Sequence, residues 1–358
     1  MNYLQLLDTI RSITGRRQYD RFPPVEAAID VFRRDGAKGA TFVVYDALQA
    51  KAVLQSPNYG QFNFLQQILT IAKPERTEWI RRFCDIGLIM LDGPEHQRRR
   101  PLMQRSLEKC ASGVKGIPDD EMVAVIEDGI AAEPPTSAAI ASRLVVFLFS
   151  RAVAGLVGKP VELPARDLFA VDFFNPFPTL SSLSRCNEAI GNCCEAIGFD
   201  ELDEPDQAAV LSLLVMGVSP LHALLTALLN AYAAGMEAGM ERADAVKAAT
   251  GWNSYAIVPT NFVMRTCIAT DVLGQDVVQP GDIVYLFLGS ATGCPFSRLT
   301  SVPFGAGLHH CSGAALTQVM TTAVRNGLIR IDPHGCPITP SEEVKGKAAA
   351  FLGFGAAS

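Results

Sequence analysis

From Gln207 to Met236 the chain runs for thirty residues without a formal charge. A helix that is apolar on every side must be buried, either in lipid or in a large protein core. The run is long enough to cross a bilayer. It also carries Ser212, Ser219, Pro220, His222, Thr226 and Asn230, and its flanks, Glu204, Asp206 and Glu237, are acidic. We read it as the buried central helix of a large soluble protein. The remaining composition supports such a core: 358 residues, 49% hydrophobic and 19% charged, with a mean hydropathy of +0.19. That excludes disorder as the main state. A net charge of −6 argues against a chain built to grip nucleic acid.

Met1 to Asp20 shows no apolar run followed by a small-residue cleavage site, so the expected location is cytoplasmic, away from membranes. The nine cysteines are odd in number and form no CxxC pair. A disulfide framework and a zinc ribbon are therefore not expected. Most of the thiols read as small buried hydrophobes.

The first half reads as mostly helical. Pro23-Pro24 followed by Val25, Ala28, Ile29, Val31 and Phe32 predicts a helix ended by Gly36. Ala40–Tyr45 is β-branched and aromatic and predicts a strand, with Asp46 capping a helix through Leu54. Residues 78–110 predict helix broken at Asp92-Gly93-Pro94, and 121–157 predict helix broken at Pro134-Pro135. Ile268–Leu288 predicts a small hairpin-like sheet, and Ser312–Leu328 a last helix. No repeat or long linker appears. Residues 1–358 read as a single domain, mostly α with small β-sheets (α+β).

The segment Phe304-Gly-Ala-Gly-Leu-His-His-Cys-Ser-Gly313 carries the chemistry. Gly305 and Gly307 permit turns closed to other residues. Cys311 stands just before a predicted helix, whose amides can stabilise a thiolate. Gly313 lets that helix approach something flat. A thiolate held in such a turn, beside apolar Phe304, suits axial ligation of haem iron.

This segment resembles the haem-ligand signature of the cytochromes P450, Phe-Gly-x-Gly-x-His-x-Cys-x-Gly. Leu91-Asp-Gly-Pro-Glu-His-Gln-Arg-Arg-Arg100 is similar to that family's Asp-Pro-Pro-Glu-His-x-x-x-Arg helix. Pro259 to Arg265, with the strand-like residues that follow, is similar to the segment after its K helix. The resemblance implies a shortened cytochrome P450 fold and haem b with Cys311 as the iron ligand. It implies propionate-binding roles for His96, Arg100, Arg265 and His309, with Phe304 and Gly313 at the cofactor. Spacing agrees for His96 and Arg100, because i and i+4 share one helix face and paired donors suit a carboxylate. Arg98 and Arg99 read as a solvated helix end. His222, His310 and His334 have no counterpart in the family pattern.

Three departures stand out. Met216-Gly217-Val218-Ser219-Pro220 aligns with the family's Ala-Gly-x-Glu/Asp-Thr, so Ser219 replaces the acid and Pro220 the alcohol of the usual proton relay. Proline has neither hydroxyl nor N–H and distorts a helix one turn back. The Glu-x-x-Arg positions fall on Trp252 and Tyr255. The loop before the signature is reduced to Gly293–Pro303.

The resemblance implies a haem-thiolate oxidoreductase for a small, largely apolar substrate, in secondary metabolism. Gly217, Ser219 and Pro220 line the reactive face. Peroxide use or substrate rearrangement stands beside ordinary monooxygenation, and a redox partner is left open. Phe62, Phe64, Phe173 and Phe174 read equally as pocket lining or as core. The alternative is a non-catalytic relative that activates a partner enzyme, such as a glycosyltransferase, in the same pathway. Family members of that kind lack the cysteine that this chain keeps.

Overall fold

The computed structural model describes residues 29–33, 39–44, 47–62, 69–70, 72–171, 180–249, 262–287, 304–331 and 338–341. Ile29–Arg33 forms a strand (β1), where the sequence predicts the end of a helix. Ile29 and Val31 pack on one apolar cluster, a period of two that satisfies a strand. The backbone pairs antiparallel with Ala40–Val44 (β2), Val31 opposite Phe42. Partners supplied by a second strand decide a short β-branched run that local pattern leaves ambiguous.

Ala47–Gln55 (α1) and Tyr59–Gln61 (β3) follow. The helical body is built from Glu78–Ile86 (α2), Gly93–Lys115 (α3), Asp119–Ala131 (α4), Ser137–Val157 (α5), Ala165–Ala170 (α6) and Leu180–Ile197 (α7). The break expected at Pro134-Pro135 lies between helices, and the one expected at Asp92-Gly93-Pro94 is the start of α3, with Asp92 before it and Gly93-Pro94 as its first residues. In α3, Met103, Leu107, Cys110, Ala111 and Val114 are buried, the three-to-four spacing of one inward face. α5 starts at Thr136, whose hydroxyl accepts from the Ala139 N–H at 3.2 Å. It ends on left-handed Gly158.

The uncharged run becomes Glu204–Ser212 (α8), a π-helical turn over Leu213–Gly217, and Val218–Glu237 (α9). The expected distortion is present. Pro220 would press on the carbonyl four residues back, that of Met216, and the widened π turn holds that residue. By length and composition Ser137–Val157 and Glu204–Glu237 could each cross a membrane. In the fold, 72% of the most apolar window of the second is buried inside the protein, which makes it a core helix, in keeping with its polar residues.

Arg242–Ala249 (α10) precedes the remaining strands: Phe262–Cys267 (β4), Asp271–Leu273 (β5), Asp276–Val278 (β6) and Ile283–Phe287 (β7). The hairpin expected across 268–288 is narrower than predicted. β5 and β6 pair with each other, while β7 joins the larger sheet, ordered β1-β2-β7-β4-β3. β7 is parallel to β2 and antiparallel to β4. Ala314–Arg330 (α11) packs on α3 and α4. Trp252, Tyr255, the reduced loop 293–303, His334, Phe64, Phe173 and Phe174 lie outside the described residues.

Candidate functional site

Four segments distant in sequence meet beside the cysteine loop: β3, the start of α3, β4 and the loop Phe304–Gly313 itself. The loop closes on itself through the Cys311 N–H, which donates to the Phe304 carbonyl at 2.8 Å. Gly305 and Gly307 take left-handed φ values of 73° and 70°. A side chain at Gly307 would also collide with the Leu54 carbonyl of α1, so the loop is seated against that helix by close backbone approach.

Cys311 is exposed as a residue. Crowding by protein around its sulfur pushes the thiol up from its ordinary range. The amides of Gly313 and Ala314 and the Arg100 guanidinium pull the other way without prevailing. The helix-start amides expected from the sequence are thus aimed at the sulfur, but the protein alone does not make it a thiolate. A Cβ added at Gly313 would stand 3.8 Å from Sγ and fill the side of the sulfur that glycine leaves open.

The four residues expected to face propionates converge beside this loop. His96 is buried, its ring centroid 4.3 Å from that of His309. Its Nδ1 is buried with no hydrogen-bond partner. Burial, with His309 and Arg100 close by, lowers its pKa to about 4 against the pull of Asp92. Arg100 donates to the carbonyls of Leu308 at 2.9 Å and His310 at 2.6 Å. Arg265, on β4, is buried and donates to Gln61 Oε1 at 3.0 Å and to its neighbour's carbonyl at Met264. Burial lowers its pKa to about 10 against the attraction of Asp92, so it stays charged at neutral pH. His310 contributes its carbonyl, and burial and Arg100 lower the pKa of its ring.

In the sequence Asp92 marks a helix break and opens the segment similar to the family's Asp-Pro-Pro-Glu-His helix, with no role of its own, yet in the fold it sits at the centre of the cluster. Its backbone is extended, as at an N-cap, but its side chain does not cap α3. The carboxylate instead accepts from the Gln61 N–H at 2.8 Å and lies 2.8 Å from His309 Nε2. Burial alone would raise this carboxyl, but His309, the Gln61 amide and Arg265 together hold it below its usual range. An Asp at the mouth of a helix, before Gly-Pro, was the available signal; what it binds was not legible.

Arg98 behaves as expected of a solvated end, whereas the Arg99 side chain is mostly buried. Arg98 makes a two-pronged pair with Glu95, and Arg99 joins Glu95 to Glu204 of α8. His222 is a buried clamp between α9 and α5. Its Nε2 lies 3.1 Å from the Ala138 carbonyl and 3.0 Å from Ser142 Oγ. A nitrogen facing a carbonyl must carry its hydrogen, so this nitrogen is no base for Ser142.

Gly217, Ser219 and Pro220 lie at the junction of the π turn and α9, the last two half-buried. A Cβ at Gly217 would meet the Phe149 ring of α5 at 3.0 Å, so this glycine lets α5 pack closely. A cleft of about 710 Å³ opens elsewhere, on the outer side of α5 against α6, lined by Val146, Phe147, Val161 and Phe169. None of the signature residues line it.

No family model matches the chain, and neither does any curated protein. Solved structures do match. A six-coordinated cytochrome P450 from Thermus thermophilus is 15% identical with a TM-score of 0.62, over 85% of this chain and 87% of that one. P450BioI, solved with acyl carrier protein bearing hexadec-9Z-enoic acid, is 15% identical at 0.58, over 91% of each chain. The hydroxylase MycCI from Micromonospora griseorubida, bound to mycinamicin VIII, is 18% identical at 0.57, over 89% of this chain and 94% of that one. The chain therefore has the cytochrome P450 fold, mostly helical with small mixed sheets.

The residues present fit a haem. The sulfur has two amides behind it and an open glycine side. His96 offers a buried nitrogen without a partner. Arg265, His96 and His309 face the carboxylate of Asp92, and Arg100 stands beside the cysteine loop, so the cluster is suited to an anionic group.

Proposed function

We propose that the chain is a haem-thiolate oxidoreductase of the cytochrome P450 type, acting on a small, largely apolar substrate. The observation that carries this reading is the convergence of Cys311 with His96, Arg100, Arg265 and His309 in one cluster. Cys311 would ligate the iron of haem b through its sulfur, and the two arginines and two histidines would hold its propionates. When bound, haem supplies one-electron and oxygen chemistry, with the thiolate favouring O–O cleavage.

The chain's own residues restrict how protons reach the reacting face. Where the family pattern carries an acid and an alcohol, this chain has Ser219 and Pro220. Ser219 can hold a water through its hydroxyl but cannot act as a carboxylate, and Pro220 offers no donor. This favours peroxide use or rearrangement of the substrate over reductase-driven monooxygenation. Hydrogen peroxide is expected to support faster turnover than a ferredoxin–reductase pair. Equal or faster reductase-driven turnover would refute that part of the reading. A setting in secondary metabolism rests on the likeness to MycCI.

The test of the whole reading is spectroscopic. Purified, haem-replete protein is expected to show a Soret band and, when reduced under carbon monoxide, the red-shifted band of a thiolate-ligated haem. Cys311→Ala is expected to lose that red-shifted band completely. Colourless wild-type protein, or a variant that keeps the thiolate band, would overturn the assignment.

A further inference from the structure

We infer that Asp92 is a built-in stand-in for a haem propionate, holding the cationic cradle together in the haem-free chain and giving up His309 when haem enters. The inference rests on the haem reading above. It starts from a helix start that behaves unusually. An extended Asp before Gly93-Pro94 is placed to cap α3, and capping would satisfy the orphan N–H groups there. Asp92 does not cap; it turns outward to the cradle.

There its oxygens are shared between two donors from distant parts of the chain. Oδ2 takes the Gln61 N–H of β3, and Oδ1 lies 2.8 Å from the His309 ring of the cysteine loop. Arg265 adds its charge, and its guanidinium is also tied to Gln61 through Oε1. The approach is close: a Cβ at Gly60 would stand 3.1 Å from Asp92 Oδ2. A carboxylate that binds a histidine and attracts a buried arginine does what a propionate carboxylate would do with the same two groups.

Two carboxylates cannot use the same donors fully, so the chain's own carboxylate competes with the incoming one. Without Asp92, two positive or donor groups would face each other uncompensated in the haem-free chain, and burial makes that costly. Asp92 therefore acts as a positioning residue. It keeps the loop, β3 and α3 in register before loading, at the expense of affinity for haem.

The test uses the whole, haem-free chain and its Asp92→Asn variant, titrated with haem and with haem dimethyl ester. The expected result is that the variant melts at a lower temperature without haem yet binds haem about fivefold more tightly, roughly the worth of one half-exposed charge pair. The ester, which brings no carboxylates, is expected to bind both chains equally. If wild-type protein loads with haem and the variant loads equally or more weakly, or gains as much with the ester, the stand-in assignment fails while the haem reading survives. If neither chain binds haem, both fail. A measurement on the wild-type chain needs no substitution. Loading with zinc protoporphyrin, which is diamagnetic and carries both propionates, is expected to shift the His309 ring N–H resonance away from its Asp92-bonded position. An unmoved resonance overturns the proposal.

Discussion

Gly113→Val is expected to cost the fold about 3 kcal/mol or more, a large share of the roughly 5–15 kcal/mol that holds a domain together. α3 and α5 cross with glycine facing glycine. A Cβ at Gly113 would stand 2.8 Å from the Gly155 Cα, and one at Gly155 would stand 2.6 Å from the Gly113 Cα. The obstacles are backbone atoms, so no rotamer change can make room, and the helices must separate. The residues that would lose contact are core residues: Leu107, Cys110 and Val114 on α3, Leu148, Ala152 and Leu156 on α5. Urea unfolding followed by circular dichroism measures the loss. Gly116→Ala is the control. It follows α3 in right-handed helical geometry, and its added methyl meets nothing nearer than the Ser112 carbonyl at 3.6 Å. Its effect should stay within about 0.5 kcal/mol. Equal effects at the two positions would refute the close crossing.

Acid sensitivity of the haem-free chain gives the second large effect, and His96 is its source. Burial, then His309 and Arg100, depresses its folded pKa to about 4, from 6.5. The unfolded chain therefore takes up a proton below pH 6.5, while the folded chain resists until about pH 4. A histidine depressed in this way makes stability fall as pH drops through that window and rise as pH rises. Discounted for solvent screening, the shift corresponds to about 2 kcal/mol, lost between pH 6.5 and pH 4. Asp92 adds to the loss only at lower pH, because its carboxyl is held below its usual range and its contribution disappears on protonation. Unfolding curves at pH 7, 5.5 and 4 test this. His96→Gln should flatten the profile across the window. A variant with the wild-type slope would show that another group carries the effect.

Legibility from the sequence divides along a physical line. The loop Phe304–Gly313 is readable because its demands are local: two left-handed glycines, a cysteine before a helix, and a glycine beside the sulfur. The π turn is readable for the same reason, since Pro220 acts on the carbonyl four residues before it. His96 and Arg100 are readable because helical spacing puts them on one face. Ile29–Arg33 departs from expectation because a short run of Ile and Val suits a helix face or a strand equally, and β2 settles the matter by pairing. Ile283–Phe287 belongs to a different sheet from the one its sequence neighbours suggest, because nothing local says that its partners are β2 and β4.

Asp92 shows the other side of that line. Its partners lie 31 and 217 residues away, and only the assembled fold brings them within hydrogen-bond reach. The same holds for the direction of the Cys311 pKa. The sequence places amides beside the sulfur, but crowding by residues from other segments outweighs them. By itself the sequence determined the glycine-cysteine segment Phe304–Gly313, the buried central helix and the Ser219-Pro220 pair, because residue type and spacing along one element suffice for each. The tertiary structure alone decided which charges face one another, which glycines let helices touch and which carboxylate holds the cradle, because those depend on distances between elements that no local spacing encodes.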